Sequence, residues 1–209
     1  VDLPSETAAA VVEALASRAE VNSLVAEVAE GSRRLSELVT ALKSYSYLDQ
    51  APVQDVDVAQ GIDDTLLILK SKTSDLTVMR DYEPGLPLIQ AYGSRLNQVW
   101  TNLIDNAADA IHDAGVPDGW ITVSARAHDD ALVVTVENNG PEIPPPVRDR
   151  IFEAFFTTKE PGKGTGLGLD TVYDIVVNQH RGAINVQSDP ERTIFTVELP
   201  TARTGDQPA

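Results

Sequence analysis

The chain has 209 residues, 42% of them apolar, which suits a buried core and about one to one and a half domains of usual size. With 16 Lys+Arg against 32 Asp+Glu the net charge is −16, so nucleic acid and anionic lipid are poor partners for its overall field, although backbone amides can still build a local anion site. Cysteine is absent, which excludes disulfides, thiolate zinc sites and a cysteine nucleophile, and three histidines (His112, His128, His180) make a multi-histidine metal centre a poor expectation.

No run of 18 apolar residues occurs, so no membrane span is expected. Val1-Asp2-Leu3-Pro4 lacks the basic and apolar regions of a signal peptide, and the expected compartment is the cytoplasm. Residues 5–47 read as a helix behind Pro4, with Ser5 as N-cap. Its apolar positions Val21, Leu24, Val28, Leu35, Leu38, Leu42 and Tyr45, with Gly31 as one defect, follow alternating steps of three and four. Val25 and Val39 widen the stripe. Such a seam suits a helix of a homodimeric bundle better than one packed on its own domain. Tyr47–Asp57 reads as a linker.

A second texture follows. "VAQGIDDTLLILKSK" reads as an amphipathic helix, and "LTVMRDY" with "PLIQAY" as a strand pair around "EPGLP". Ser94 to Ala114 reads as a helix. "WITVSARA" and "ALVVTVENN" read as a hairpin across "HDD". A Gly- and Pro-containing stretch runs to Gly168, then a helix to about Gln179, then a hairpin of "AINVQSD" and "TIFTVELP". The expected fold is α+β, an antiparallel-rich sheet with three helices on one face. Residues 1–50 would be a helical arm, 51–203 a sandwich domain and 204–209 a disordered tail.

Three segments stand out chemically. On the helix "SRLNQVWTNLIDNAADAI", Asn102, Asn106, Asp109 and Asp113 line one flank at steps of four, three and four. Mid-helix asparagine is a weak helix former. The ridge reads either as a face for Mg²⁺ and phosphate or as a solvated face. In "VENNGPEIP" an apolar strand ends in Asn138-Asn139-Gly140, either an amide facing a pocket or an ordinary Asn-Gly turn. In "FEAFFTTKEPGKGTGLGLDTVYDIV", Gly162, Gly164, Gly166 and Gly168 alternate before a helix. That pattern brings backbone amides to a phosphate or marks a flexible linker.

In their order these segments resemble the ATP-binding domain of sensor histidine kinases, the Bergerat-fold family shared with DNA gyrase, mismatch-repair ATPases and a large heat-shock chaperone. "NLIDNAADA" looks like the N box, "NNGPEIP" the G1 box, "IFEAFFTTK" the F box and "GKGTGLGL" the G2 box, within Val56 to Pro200. The resemblance implies an α/β sandwich with ATP between the N-box helix and a mobile lid of about Pro141 to Leu167. It implies Asn106 as Mg²⁺ ligand, and Asn102, Asn106 and Lys159 as the catalytic positions. It implies nucleotide contacts from Asp109, Asn138, Gly140, Ile143, Phe156, Thr158, Lys159, Gly164, Thr165, Gly166, Leu167 and Gly168, with Phe152 and Phe155 as lid anchors beside Phe156. In the hydrolysing relatives a Glu stands where this chain has Asn102. An amide is a poor general base, which favours phosphoryl transfer to a protein over hydrolysis.

Two positions depart from the pattern. Asn138 replaces the aspartate that reads adenine, so weakened nucleotide binding is expected. Glu142 replaces the second glycine of the G1 box and is expected to crowd that turn. The arm resembles the second helix of a kinase dimerisation hairpin. The histidine that accepts phosphate would lie on a first helix that this sequence does not show, and none of the three histidines suits the role. The reading is therefore the catalytic region of a cytoplasmic sensor histidine kinase. It would use Mg-ATP, form a homodimer through residues 5–47 and act with a response regulator, with no nucleic-acid partner. A non-catalytic nucleotide-sensing or dimerising module is the alternative.

Overall fold

Every second side chain of the long strands goes into one core, and that alternation builds the fold. The computed structural model describes residues 24, 25, 28, 32, 53–159 and 165–201. The chain divides into two units, Val1–Thr40 and Ala41–Ala209. In the first, Leu24, Val25, Val28 and Ser32 are helical and exposed. The rest of the expected arm, the linker as far as Pro52, Gly162 to Gly164 and the tail from residue 204 lie outside the described residues.

The second unit runs β1 (Gln54–Val56), α1 (Val58–Ile68) with a 3₁₀ turn at Leu69–Ser71, β2 (Thr77–Tyr82), β3 (Ile89–Ala91) and α2 (Gly93–Ala114). It continues with β4 (Trp120–His128), β5 (Ala131–Asn138), the short α3 (Pro145–Arg148), α4 (Gly168–Tyr173), a π-helical turn (Asp174–Gln179), β6 (Ala183–Ser188) and β7 (Thr193–Pro200). Five strands form one sheet in the order β2-β4-β5-β7-β6. Among the described strands only β2 and β4 pair in parallel. The result is the expected α+β sandwich, with helices packed on a mixed sheet.

On β5, Leu132, Val134 and Val136 are buried and their neighbours are not, which is the period of a sheet covered on one face. They join Ile121, Val123 and Ala125 of β4 and Val197 and Leu199 of β7 beneath Leu96, Val99, Trp100, Leu103, Ile104 and Ile111 of α2. Those α2 positions recur at the three-and-four spacing of one helix face. Asp57 starts α1 by accepting from the Gln60 amide at 3.0 Å. Gly115 ends α2 in the left-handed conformation, with its amide donating to His112 O at 3.0 Å.

Two expectations from the sequence need correction. β2 and β3 are not a hairpin: β2 pairs with β4, and β3 pairs antiparallel with β1. Beyond β2, the Glu83 amide still donates to Ala125 O at 2.9 Å and the Glu83 carboxylate accepts from the Ala127 amide at 2.9 Å. Those bonds carry the chain along β4 and away from β3. The three residues read as linker, Gln54–Val56, supply the partner for β3, because Val56, Ile89 and Ala91 are all buried together.

Candidate functional site

The polar ridge of α2 lies directly beside its apolar face, so its side chains stand at the edge of the sandwich where the loops converge. Asn102 donates from Nδ2 to Gly168 O at 3.1 Å. A Cβ on Gly168 would sit 3.8 Å from the Asn102 amide carbon and 3.9 Å from Asn106 Nδ2. The first residue of α4 therefore rests against both asparagines. Further along the same helix, Ala110 approaches Gly140: a Cβ there would lie 3.1 Å from Ala110 Cβ and 2.6 Å from Asn138 Nδ2. Only glycine fits that close approach.

The two asparagines at the end of β5 divide their tasks. Asn139 accepts from the Trp120 amide through Oδ1 at 2.8 Å and donates from Nδ2 to Asp118 O at 3.2 Å, which fixes the turn. Asn138 is 3% exposed, and its side chain has no hydrogen-bond partner among the described residues. Glu142 does not crowd the turn as expected. It is exposed and is not among the non-glycine residues at positive φ. With no strained backbone to relieve, the position has no conformational need for glycine. The adjacent Ile143 amide donates to Ser188 Oγ at 2.8 Å, and that hydroxyl lies 2.6 Å from Thr193 Oγ1.

Between Pro141 and Leu167 the aromatic residues make separate contacts. Phe152 packs against Tyr173 with ring centroids 5.9 Å apart, and Arg150 stands 4.3 Å over the Phe156 ring. Phe155 is 76% exposed and has a positive φ of 65°. Its amide donates to Gly166 O at 2.9 Å. Gly166 is itself at φ 66°, and a Cβ there would meet the Phe155 carbonyl carbon at 2.4 Å. Thr165 Oγ1 accepts from the Leu167 amide at 3.3 Å, while Thr158 and Leu167 are exposed. Gly164 lies outside the described residues.

Charge is concentrated on one stretch of the ridge. Lys159 Nζ pairs with Asp109 Oδ2. Lys72, from the turn after α1, pairs through Nζ with both Asp105 and Asp109. Burial disfavours the charged form of Asp109, but hydrogen bonds and charge from Lys159 and Lys72 outweigh it and hold the carboxyl below its usual range. Burial likewise opposes the Lys72 charge, and Asp105 with Asp109 reverses that, raising its pKa. The sequence alone does not single out Lys72 or Asp105. Neither belongs to a motif, and the only signal was that cations are scarce in an acidic chain. Among the described residues no group of three or more His, Asp and Glu could hold a metal.

The histidines have other partners. His112 Nε2 is 3.2 Å from Asp75, and His128 Nδ1 is 3.3 Å from Asp129. His180 Nδ1 is 2.7 Å from Ile175 O, and its Nε2 accepts from the Tyr92 amide at 3.1 Å. Both nitrogens of His180 are thus engaged.

A family profile described as histidine kinase-, DNA gyrase B-, and HSP90-like ATPase matches residues 91–203. The sensory histidine kinase/phosphatase NtrB of Azospirillum brasilense is 32% identical over 190 residues, covering 83% of this chain and 46% of that protein. Sporulation kinase A of Bacillus subtilis (strain 168) is 38% identical over 136 residues, covering 65% of this chain and 21% of that protein. The catalytic domain of histidine kinase ThkA, in a nucleotide-free form, is similar with a TM-score of 0.64 at 26% identity, covering 72% of this chain and 97% of that one. The chain spans less than half the length of the two curated relatives.

Proposed function

Because the chain belongs to the histidine kinase-, DNA gyrase B- and HSP90-like ATPase family and carries its ATP-binding catalytic domain of the sensor-kinase type, we propose that it transfers the γ-phosphoryl group of Mg-ATP to a histidine outside this sequence. The observation that supports this is one flank of α2 meeting two glycine turns. At one end Ala110 and Asn138 both lie against Gly140, and at the other Asn102 and Asn106 face Gly168. Asn102 and Ala110 are eight residues apart, about 12 Å at the α-helical rise. The adenine edge is assigned to the unpartnered Asn138 amide, and the phosphates to Asn102, Lys159, Thr165, Gly166 and Gly168. Asp109, Ile143, Phe156, Thr158, Gly164 and Leu167 complete the proposed nucleotide contacts. The domain so assigned is residues 51–203, after an arm of residues 1–50.

An ion that arrives with its nucleotide needs few protein ligands. The Asn106 amide oxygen is a hard donor of the kind Mg²⁺ takes beside water and phosphate. When bound, Mg²⁺ would neutralise phosphate charge. The rest of the chemistry is positioning, with Lys159 supplying a cation once it leaves Asp109 and no carboxylate where Asn102 stands.

Exposed Leu24, Val25 and Val28 support homodimerisation through the arm. A response regulator is the proposed partner, and the cytoplasm the proposed compartment. No helix among the described residues is long and apolar enough to cross a membrane.

Calorimetric titration with Mg-ATP tests the site. Saturable heat is expected from the wild type and none from Asn106→Ala. A folded wild type that shows no heat would end the reading. Incubated alone with γ-labelled ATP, the chain should acquire no acid-labile, alkali-stable label. Robust labelling would make one of its own histidines the acceptor.

A further inference from the structure

Asp109 is claimed by two lysines from different parts of the chain. Lys159 reaches it from the connection between β5 and α4, and Lys72 from the turn after α1. Lys72 also holds Asp105, one helical turn back along α2. All four side chains are only partly exposed, Asp109 at 25% and Lys159 at 26%. A carboxylate in such a position is costly to leave alone. If Lys159 is to meet a polyphosphate it must first give up Asp109, and what remains on Asp109 then decides how hard that step is. Lys72 remains. It is a second cation, already in place, that keeps the carboxylate paired after Lys159 departs.

We propose that Lys72 is a positioning residue for nucleotide binding: by holding Asp105 and Asp109 it lets Lys159 exchange its carboxylate partner for the phosphates. This rests on the nucleotide reading above and adds to it a residue from outside the four sequence boxes. Lys72 itself touches no phosphate in this scheme. Removing it leaves Asp109 with Lys159 as its sole described cation, so Lys159 is gripped harder. The effect belongs to the phosphates and not to the base. It also passes entirely through Lys159.

The test is a double-mutant cycle. Mg-ATP and adenosine are titrated calorimetrically into the wild type, Lys72→Gln, Lys159→Gln and the double variant. Lys72→Gln should weaken Mg-ATP by about fivefold in the wild-type background and leave adenosine unchanged. In the Lys159→Gln background it should change Mg-ATP by less than about twofold. Lys72→Arg should restore wild-type affinity. An equal loss in both backgrounds would mean a simple field effect of the Lys72 charge, and an equal loss for adenosine would mean a structural role. Either overturns the proposal. A nucleotide-free measurement separates it from the underlying reading. Acylation of Lys159 by acetic anhydride, followed by mass spectrometry, should slow in Lys72→Gln and stay at the wild-type rate in Lys72→Arg. If the wild type binds neither ligand, the nucleotide reading falls. Unaltered Lys159 labelling in Lys72→Gln overturns the Lys72 proposal whatever the titrations give.

Discussion

The sheet and the connection that leaves it are held by different means. Between β5 and β7 eight residue pairs run in register from Ala131 opposite Pro200 to Asn138 opposite Thr193. Their inward side chains share one core, so each contact has many neighbours. From Pro141 to Leu167 one side chain among the described residues, Ile151, is buried in that core, and the rest is held by scattered ties such as Ile143 to Ser188, Phe155 to Gly166 and Lys159 to Asp109. One of these ties even rests on a phenylalanine in a backbone conformation that bulky residues avoid. Stability is therefore pooled in the sheet and itemised in the connection. Damage to the first should be global, and damage to the second local.

The largest expected effect lies in the sheet. Leu132→Ala removes a fully buried side chain and should lower unfolding free energy by about 2–5 kcal/mol in denaturant titration. Phe155→Ala, at an exposed position, should stay within about 0.5 kcal/mol. A comparable loss at both would erase the distinction between the regions. Next comes Gly166→Ala, whose new Cβ meets the Phe155 backbone at positive φ. Its cost of about 1–3 kcal/mol should appear as faster hydrogen exchange at the Phe155 amide, with the β5 amides unchanged. Loss of protection throughout the sheet would show the two regions to be one cooperative unit.

Third, Asn138→Asp, at the junction of the two regions, should tighten Mg-ATP about tenfold, roughly 1.4 kcal/mol. The free variant should melt at lower temperature, since a nearly buried carboxylate lacks a partner. Unchanged or weaker binding would remove Asn138 as the adenine contact. The smallest effect is titratable. Burial lowers the pKa of His180 below its ordinary 6.5, despite the bond to Ile175 O that favours its charged form. The unfolded chain thus takes up the proton first as pH falls. The stabilisation is complete above pH 6.5 and is lost as pH drops through the folded value. His180→Asn should flatten that acid limb of the stability curve, and an unchanged limb would assign it to other groups.

What was legible in the sequence follows the same division. Strict alternation marked β4, β5 and β7, and three-and-four spacing marked α2, because burial on one face writes a period into the chain. β1 has only three residues, too few for a period, and passed for a linker. Nearness in sequence favours a hairpin of β2 with β3, whereas the Glu83 bonds to β4 are long-range. The asparagine ridge and the glycines were visible through their spacing. Lys72 was not, since an isolated lysine 33 residues from Asp105 leaves no local pattern. Nor could the sequence divide the roles of Asn138 and Asn139, which depend on what Trp120 and Asp118 present to them.

The pairing of β5 with β7 has one more consequence, for how the chain can vary. Every residue of the connection and of α4 lies inside the loop that this pairing closes. The entropy of closing a loop grows only with the logarithm of its length, about 0.6 kcal/mol for each doubling. A few residues added or removed between Pro141 and Leu167 therefore cost little in loop closure, provided Ile151 keeps its place in the core and the ties are kept. Loop closure thus sets no tight limit on the length of that stretch outside the residues assigned to the nucleotide, while the strands on either side tolerate no change of register.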